Sequence, residues 1–497
     1  MSTDTREKFS SRLGFILVAA GCAIGLGNVW KFPYLCGQNG GAAFILIYLL
    51  CLGLLAFPIL VCELSVGRAS QKSSARAFHI LEPKGSRWHL GSYMCIAGTY
   101  LLMMFYTCVC GWMLYYFFKY LSGQFAVPGL TPAAISSEFA QMLADPTPMT
   151  ISTLVVIITA FVVCSFGVQK GIEKVTKYMM LGLLGLITLL AIHALTLPGA
   201  EAGIQFYLIP DFDRMIEKGI GNVLFDAMSQ AFFTLSIGIG AMVIFGSYLN
   251  KKRSLTSEGA VITLLDTIVA IMAGLIIIPA CFAFGIEPDA GPSLIFITMP
   301  NVFDQMSGGQ IWGTCFFLFL LFAALSTIIA IFENIIAYAI DLWGWSRKKA
   351  IFINFIILSL GAIPCILGFN VLSDIQPLGP STSILDLEDF LVSNNFLPLG
   401  ALLYLLFCIH KNGWGWSNFL KETNTGKGLL FPKIYQPLLR SLAPFMIVLI
   451  YLKGYYDKFS QQGPLYLTVW LGIALLFLAF VTYVSFGRRR KQKAEDC

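Results

Sequence analysis

Apolar residues run along the chain in twelve long stretches, which short polar segments separate. The stretches cover 13–35, 42–67, 90–121, 150–168, 174–197, 222–249, 258–285, 311–342, 350–369, 389–410, 435–456 and 464–487. A helix needs about 20 residues to cross a bilayer. Because a chain in lipid must satisfy its backbone polar groups within the segment, the stretches predict helices. The alternating pattern of a membrane β-barrel is rare in them.

The composition agrees with a membrane protein. Of the 497 residues, 57% are hydrophobic and 12% are charged, whereas a soluble domain carries about 25% charged residues. This excludes a water-soluble enzyme, a secreted scaffold and a disordered protein. No small-residue cleavage site closes the first stretch, which begins at Leu13, so it predicts a first span and not a signal peptide.

The residues that commonly bind metals or act as nucleophiles form no known pattern. The 13 cysteines lie mostly within apolar stretches, which predicts packing residues and no disulfide framework. The four histidines (His79, His89, His193 and His410) do not have metal-ligand spacing. The chain also lacks a GxxxxGK[ST] loop and a GxSxG motif. We therefore predict that the protein is not an enzyme and holds no organic cofactor.

Basic residues lie almost entirely on one side of the predicted helices. Of the 33 Lys and Arg residues, 26 lie in segment 1–12, in alternate loops and in the tail 488–497, and only four in loops of the opposite side. Positively charged loops remain in the cytoplasm. The sequence therefore predicts a multi-pass protein of the cell membrane with both termini cytoplasmic. The net charge of +6 reflects this topology and not a nucleic-acid partner.

Two of the stretches carry glycines that interrupt a helix. The first contains Gly25-Leu26-Gly27 and the sixth contains Gly238-Ile239-Gly240. A glycine inside a helix costs about 1 kcal/mol relative to alanine, so each pair favours local unwinding. For either stretch alone, close helix packing explains the glycines equally well.

The positions of the two interruptions favour a binding site. The first and sixth stretches open the two halves of a five-plus-five arrangement, and broken helices at matching positions point to a site at the membrane midplane. The N-terminus of a half-helix attracts a carboxylate. Carbonyl oxygens freed by the break are ligands for a hard cation such as Na+.

Several motifs are specific enough to resemble a known family. They are Arg12-Leu13-Gly14-Phe15, Gly25-Leu26-Gly27-Asn28-Val29-Trp30-Lys31-Phe32-Pro33, Asn39-Gly40-Gly41-Ala42-Ala43-Phe44, Glu63-Leu64 with Gly67-Arg68, and Gln230-Ala231-Phe232-Phe233-Thr234-Leu235-Ser236. The chain resembles the neurotransmitter:sodium symporter family, whose bacterial members have the LeuT fold. The resemblance implies an all-α membrane protein with about twelve transmembrane helices, of which helices 1 and 6 are unwound. It also implies a latch at 1–12, inverted repeats at 13–197 and 222–410, two further helices at 435–487 and a basic tail at 488–497.

The resemblance implies two sodium sites. The first would use the carbonyl oxygens of Ala23 and Thr234, the side chains of Asn28 and Thr234, and the carboxylate of the substrate. The second would use the carbonyl oxygens of Gly21, Ile24 and Ala323 and the hydroxyls of Ser326 and Thr327. Without the resemblance, bonds from these two hydroxyls to their own helix would be the simpler interpretation.

The resemblance also implies an amino-acid site between the broken helices. The carboxylate would meet the backbone near Leu26 and Gly27 and the hydroxyl of Tyr106. The remaining contacts implied are Cys22, Ala23, Gly25, Leu102, Val109, Phe233, Thr234, Ser236, Ile239, Thr327 and Ile331. Amine-transporting relatives carry Asp where this chain has Gly25, which favours a substrate with its own carboxylate. Cys22 departs from the polar or bulky residues common at its position.

Charged residues near the ends of the site resemble the gates of the family. Lys31 with Asp389 would form the outer gate, with Phe233 and Tyr106 as an aromatic lid beneath. Arg6 with Asp341 would form the inner gate, with Tyr248 beside them. An acidic loop at 386–389 and a topological role for Arg6 are the alternatives.

Two acidic residues within spans have implied roles of their own. Asp266 either replaces the chloride of chloride-dependent relatives or binds sodium directly, and both interpretations imply chloride independence. Glu63 is expected to brace the unwound backbone of span six.

The sequence thus predicts a sodium-coupled symporter that imports a neutral, hydrophobic L-amino acid by alternating access. Its partners would be this substrate, Na+ and the lipid bilayer, whereas its oligomeric state is not predicted. The alternatives are a membrane sensor for amino acids, or a symporter that carries another small zwitterion or is driven by protons. Matched gates on both faces argue against the sensor, because a sensor needs no second gate.

Overall fold

The computed structural model describes residues 7–125, 131–286 and 291–487, and the regular structure in these ranges is helical apart from one bridge between Arg253 and Lys427. Ten helices are long and apolar enough to cross a membrane: Ala42–Ser70, Trp88–Leu121, Pro146–Ser165, Val168–Leu195, Leu255–Ala283, Gly309–Trp343, Arg347–Leu367, Ile384–Ile409, Tyr435–Gln462 and Pro464–Phe486. We call them spans 2 to 5 and 7 to 12. Span 1 is a pair of helices, Arg12–Ala23 and Gly27–Gln38, bent by 61°.

Span 6 completes the set in two shorter pieces. Its parts are the helices Ile220–Thr234 and Ala241–Ser247, and each is too short to cross a bilayer alone. All twelve apolar stretches of the sequence therefore appear as helices, with ends that differ from the predicted ones by a few residues. The all-α architecture with two broken helices is confirmed.

Short helices that the apolar pattern did not predict lie in the connections. They are Ser74–Leu81, Pro132–Ala144, Glu201–Leu208, Phe212–Lys218, Met299–Gln305 and Trp416–Thr423. Helix Pro132–Ala144, for example, begins where the Thr131 side chain accepts a hydrogen bond from the N–H of Ala134. Local caps of this kind, and not an apolar stretch, define these elements.

The break in span 1 follows directly from its glycines and one side chain. The helix ends at Ala23, and Ile24 is extended with ψ 98°. Asn28 accepts a hydrogen bond from the N–H of Gly25 at 3.1 Å, so its side chain replaces a helical partner. A Cβ atom at Gly25 would lie 2.7 Å from the Tyr106 hydroxyl oxygen. Gly25 therefore has no room for a side chain.

The break in span 6 is held open by Glu63. Gly238 has φ 106°, which L-residues rarely adopt. The Glu63 carboxylate accepts hydrogen bonds from the N–H of Gly238 at 2.5 Å and of Met242 at 3.3 Å. These bonds satisfy backbone donors that unwinding leaves without helical partners. The expected bracing role of Glu63 is confirmed.

The broken spans lie against the most buried helices of the molecule. Spans 3 and 8 pack along each other, and the first half of span 1 packs on spans 7 and 8. Spans 9, 11 and 12 lie at the periphery and expose large apolar side chains such as Phe352, Leu360 and Leu476. The core therefore surrounds the two breaks, and the apolar exterior fits lipid.

Candidate functional site

A cavity of about 350 Å³ lies between spans 1, 3, 6, 8 and 10 beside both helix breaks. Its wall is largely apolar, with Leu102, Val109 and Ile239 among the side chains that line it. The cavity extends to Lys31 and Asp389 at one end. We call the face of the molecule at this end the outer face, and the face that carries the start of span 1 the inner face.

Polar groups gather at the unwound part of span 1. The N–H of Leu26 donates a hydrogen bond to the Tyr106 hydroxyl at 3.2 Å. Helix Gly27–Gln38 begins at the next residue, so its free N–H groups and its partial positive charge face the same region. This part of the cavity suits an anionic group, while the opposite wall suits an apolar one.

Most of the substrate contacts predicted from the sequence line this cavity. They are Ala23, Gly25, Leu26, Gly27, Leu102, Tyr106, Val109, Phe233, Ser236, Ile239 and Thr327. Three others lie behind the lining. Cys22 and Ile331 are fully buried, and the Thr234 side chain is turned toward Asp266.

The Asn28, Thr234 and Asp266 side chains form one hydrogen-bonded cluster at the edge of the cavity. The Asn28 amide nitrogen lies 3.0 Å from the Thr234 hydroxyl and 2.9 Å from Asp266 Oδ1. The Thr234 hydroxyl donates to Asp266 Oδ2 at 2.8 Å. The Asp266 carboxylate is therefore in direct contact with both side chains of the expected first sodium site.

A second cluster of oxygen atoms joins span 8 to the break in span 1. The Ser326 hydroxyl lies 3.0 Å from the Gly21 carbonyl oxygen and 2.9 Å from that of Ala323. The Thr327 hydroxyl lies 3.1 Å from the Gly21 carbonyl oxygen and 3.2 Å from that of Ile24. The five groups of the expected second sodium site thus lie together. Both hydroxyls are buried, and all five groups offer neutral oxygen atoms.

The two residues of the expected outer gate line the cavity without forming an ion pair. Lys31 Nζ lies 4.4 Å from the centre of the Phe233 ring, a cation–π distance. Asp389 accepts a hydrogen bond from Ser393 at 2.8 Å. Among the ion pairs in the described ranges, none joins Lys31 to Asp389. The outer gate therefore stays a prediction, because Lys31 and Asp389 line the same cavity but make no direct ion pair in this state.

The inner gate is described only in part, because Arg6 lies outside the described residues. Asp341 accepts hydrogen bonds from Lys72 Nζ at 3.1 Å and from the Ser73 N–H at 2.8 Å. The Tyr248 hydroxyl donates to Glu333 at 2.6 Å, and its ring packs edge-on against Phe9. Asp341 therefore anchors the start of the helix that follows span 2.

Sequence reasoning missed three acidic partners that close the inner face. The hydroxyls of Ser10 and Ser11 donate to Glu173 at 2.7 and 2.8 Å. Arg12 pairs with Glu258 at 3.0 Å, and Glu333 pairs with Arg347. Most of these contacts join distant parts of the chain, so no local pattern in the sequence indicated them.

Comparisons with known proteins identify relatives over most of the chain. A model of the Sodium:neurotransmitter symporter family matches residues 6–129 and 134–453. An uncharacterized sodium-dependent transporter of Bacillus subtilis (strain 168), YhdH, is 38% identical over 456 residues, which is 91% of this chain and 98% of that protein. A sodium- and chloride-dependent taurine transporter of Canis lupus familiaris is 27% identical over 417 residues, 74% of this chain and 66% of that protein.

A solved structure is similar over nearly the whole chain. The crystal structure of MhsT in complex with L-phenylalanine matches with a TM-score of 0.80 and 38% sequence identity. The match covers 90% of this chain and 100% of the MhsT chain.

Proposed function

The chain belongs to the sodium:neurotransmitter symporter family, and from this premise we propose that it imports a neutral, hydrophobic L-amino acid together with Na+ by alternating access. It is a multi-pass membrane protein with the LeuT fold and a sodium-dependent transporter of a small molecule, not an enzyme. The substrate, the number of sodium ions and the chloride requirement belong to the proposal.

The observation that carries the choice of substrate is the division of the cavity into a polar and an apolar part. The carboxylate would lie at the N-terminus of helix Gly27–Gln38, within reach of the Leu26 N–H and the Tyr106 hydroxyl. The side chain would lie against Leu102, Val109 and Ile239. The similarity to MhsT, which was crystallised with L-phenylalanine, supports a large apolar amino acid.

Two sodium ions would together supply the free energy for accumulation of the substrate. Each ion that moves down a potential of 100 mV releases about 2.3 kcal/mol. Two would release about 4.6 kcal/mol, enough for roughly three orders of magnitude of accumulation. The clusters at Thr234 and at Thr327 are the proposed sites, and the substrate carboxylate would complete the first.

We assign Asp266 to the first sodium site as a direct ligand. Its carboxylate already contacts Asn28 and Thr234, the two side chains that the ion would bind. A carboxylate in this position also supplies a fixed negative charge, which supports chloride-independent transport. The family includes relatives named as chloride-dependent, so this point needs its own test.

The orientation in the cell membrane is proposed from the basic residues. The N-terminal segment, the connections of the inner face and the tail hold 26 of the 33 Lys and Arg residues. The inner face is therefore proposed to be cytoplasmic, with both termini on that side.

Uptake into proteoliposomes tests the proposal directly. Radiolabelled L-phenylalanine uptake should depend on an inward Na+ gradient, persist when chloride is replaced by gluconate, and be reduced by other large apolar amino acids. Undiminished uptake with K+ in place of Na+, or uptake driven by a pH gradient alone, would contradict sodium coupling. Amino-acid binding without flux would favour the sensor instead.

A further inference from the structure

The connection between spans 2 and 3 brings two imidazoles and one carboxylate together on the inner face. His79 lies in the last turn of helix Ser74–Leu81, and Glu82 follows that helix. His89 lies in the single turn Trp88–Leu90 that forms the start of span 3. The separations along the chain, three and seven residues, match no common metal-binding motif, so the sequence alone did not reveal the cluster.

The geometry of the cluster suits a small metal ion. His89 Nδ1 lies 2.9 Å and His79 Nδ1 lies 3.2 Å from Glu82 Oε1. The three ligand atoms lie within 4.8 Å of one another. Tetrahedral Zn²⁺ with bonds of about 2.0–2.1 Å holds its ligand atoms roughly 3.3 Å apart. Small side-chain shifts would therefore bring all three atoms onto one ion.

We propose that His79, Glu82 and His89 form a binding site for a divalent transition metal ion, with Zn²⁺ as the best fit. Imidazole nitrogen suits Zn²⁺, Cu²⁺ and Ni²⁺, whereas Mg²⁺ and Ca²⁺ prefer oxygen ligands only. Three protein ligands leave one tetrahedral position for water. Each Nδ1 that binds the metal must be free of its proton, so the ring keeps its proton on Nε2.

The carboxylate at the centre of the site is already held in place. Glu82 Oε2 accepts hydrogen bonds from the Ser86 hydroxyl at 2.9 Å and from the His89 N–H at 3.2 Å. Its side chain is 11% exposed, whereas that of His79 is 62% exposed. Hydrogen-bond donors of this kind orient a carboxylate for metal binding. Because the His79 side chain is exposed, a metal ion can reach the site from the solvent.

A metal ion at this site would connect helix Ser74–Leu81 to the start of span 3. Helix Ser74–Leu81 is anchored at its start, where Ser73 donates to Asp341 and the Ser74 hydroxyl donates to Tyr338 of span 8. The metal would tie the other end of this helix to the start of span 3. Bound metal would therefore restrict the local motion of the connection 82–89.

The test uses the full-length protein in detergent with its affinity tag removed and with metal stripped by a chelator. Zn²⁺ is titrated in competition with a chromophoric chelator. We expect saturable binding of about one ion per chain, and the variants His79→Ala, His89→Ala and Glu82→Gln should each weaken it at least about tenfold. The matched control His410→Ala, whose ring packs on Phe486 and is not one of the three ligands, should bind Zn²⁺ as the parent protein does.

A second readout shows where the ion binds. Hydrogen exchange of amides 82–90 should slow on addition of Zn²⁺ in the parent protein and in His410→Ala, but not in His79→Ala. Retention of sodium-dependent uptake without metal would show that the variants are folded. No saturable binding by the parent protein, or equal binding by the double variant His79→Ala/His89→Ala, would overturn the proposal.

Discussion

The Thr327 hydroxyl connects the break in span 1 to the interior of span 8. It lies within 3.1 to 3.3 Å of the carbonyl oxygens of Gly21, Ile24 and Ala323. As long as no ion is bound, the hydroxyl hydrogen points toward one of these oxygens. Binding of Na+ would require the hydroxyl to direct its oxygen lone pair toward the ion. The same side chain would therefore act as a hydrogen-bond donor without the ion and as a ligand with it.

Removal of this hydroxyl should therefore weaken sodium binding without loss of packing. In Thr327→Val the shape is kept and one of five ligands is lost, and we expect the apparent affinity for Na+ in uptake to fall at least about tenfold, or ~1.4 kcal/mol. Thr327→Ser keeps the hydroxyl and is the matched control. Unchanged sodium dependence in the valine variant would remove Thr327 from the site.

Asp266 gives a second test at the residue scale. If it binds Na+ directly, Asp266→Asn should lower the apparent sodium affinity by at least about tenfold, equally in chloride and in gluconate. Thr267→Val is the matched control, because the neighbouring Thr267 hydroxyl donates only to the Thr263 carbonyl of its own helix. If chloride restores uptake in Asp266→Asn, the carboxylate stands in for an anion instead.

Sequence reasoning brought together the residues of each oxygen cluster but not the long-range partners. Through the resemblance to the family, Gly21 and Thr327 were assigned to one cluster and Asn28 to the other, and each lies beside a residue assigned to the same cluster. The contacts of Asp341 with Lys72 and Ser73 were not assigned, because they depend on how distant helices pack. The same holds for the contacts of Glu173 with the start of span 1. The cluster around Glu82 was missed because the spacing of its two histidines matches no common metal-binding motif.

At the scale of elements, the length of each apolar stretch was enough to locate the spans. Lipid demands a minimum length of helix, so the ends in the sequence and in the structure agree within a few residues. Turns of π-helix, such as Leu52–Ala56 within span 2, were not predicted because they leave the apolar pattern intact. Short helices in the connections depend on capping and packing, which the same pattern does not contain.

The break in span 6 should tolerate no side chain at Gly238. This residue has φ 106°, and an added Cβ would collide with the Leu397 carbonyl oxygen of span 10. We expect Gly238→Ala to lower the unfolding temperature and to cost about 1–3 kcal/mol from backbone strain alone. Thermal unfolding in detergent, with and without Na+, measures the loss.

A second glycine of the same span provides the control for this prediction. Gly221 lies in helix Ile220–Thr234, and no atom lies within 4 Å of a Cβ added there. Gly221→Ala should be neutral or should stabilise the helix by up to about 1 kcal/mol. Equal behaviour of the two variants would contradict the role of Gly238 in the break.

At the scale of the whole molecule, the two faces differ. The central cavity reaches Lys31 and Asp389 on the outer face. On the inner face, Ser10 and Ser11 are bonded to Glu173, and Arg12 is paired with Glu258. The central cavity therefore reaches the outer face, whereas on the inner face side-chain contacts join the start of span 1 to spans 5 and 7.

Loss of contacts on the inner face should increase the population of the state in which the central cavity opens on that face. Asp341→Asn removes the charge that holds Lys72, and a loss of 1–2 kcal/mol would change the populations by a factor of about 5–30. Ala337, which lines a separate cavity on the inner face together with Asp341 and Arg347, is changed to cysteine as a reporter of inner access. Its alkylation should be faster in the Asp341→Asn background.

A cysteine at Ser393 on the outer cavity is the matched reporter and should react more slowly in the same background. Among the cysteines in the described ranges, only Cys315 is partly exposed, and Cys497 lies outside these ranges, so both reporters are introduced in a background with Cys315→Ser and Cys497→Ser. Faster reaction at both positions would indicate a general loss of packing. No change at either position would contradict a role of Asp341 in the inner gate.

The use of main-chain oxygens at the helix breaks has an evolutionary consequence. No codon change deletes the carbonyl of Gly21, Ile24 or Ala323, so the main-chain half of the proposed sodium ligands is protected from mutation. The side chains that line the central cavity, such as Val109 and Ile239, can be changed by mutation. A lineage with this architecture is therefore free to exchange one cargo for another while it inherits the same driving ion.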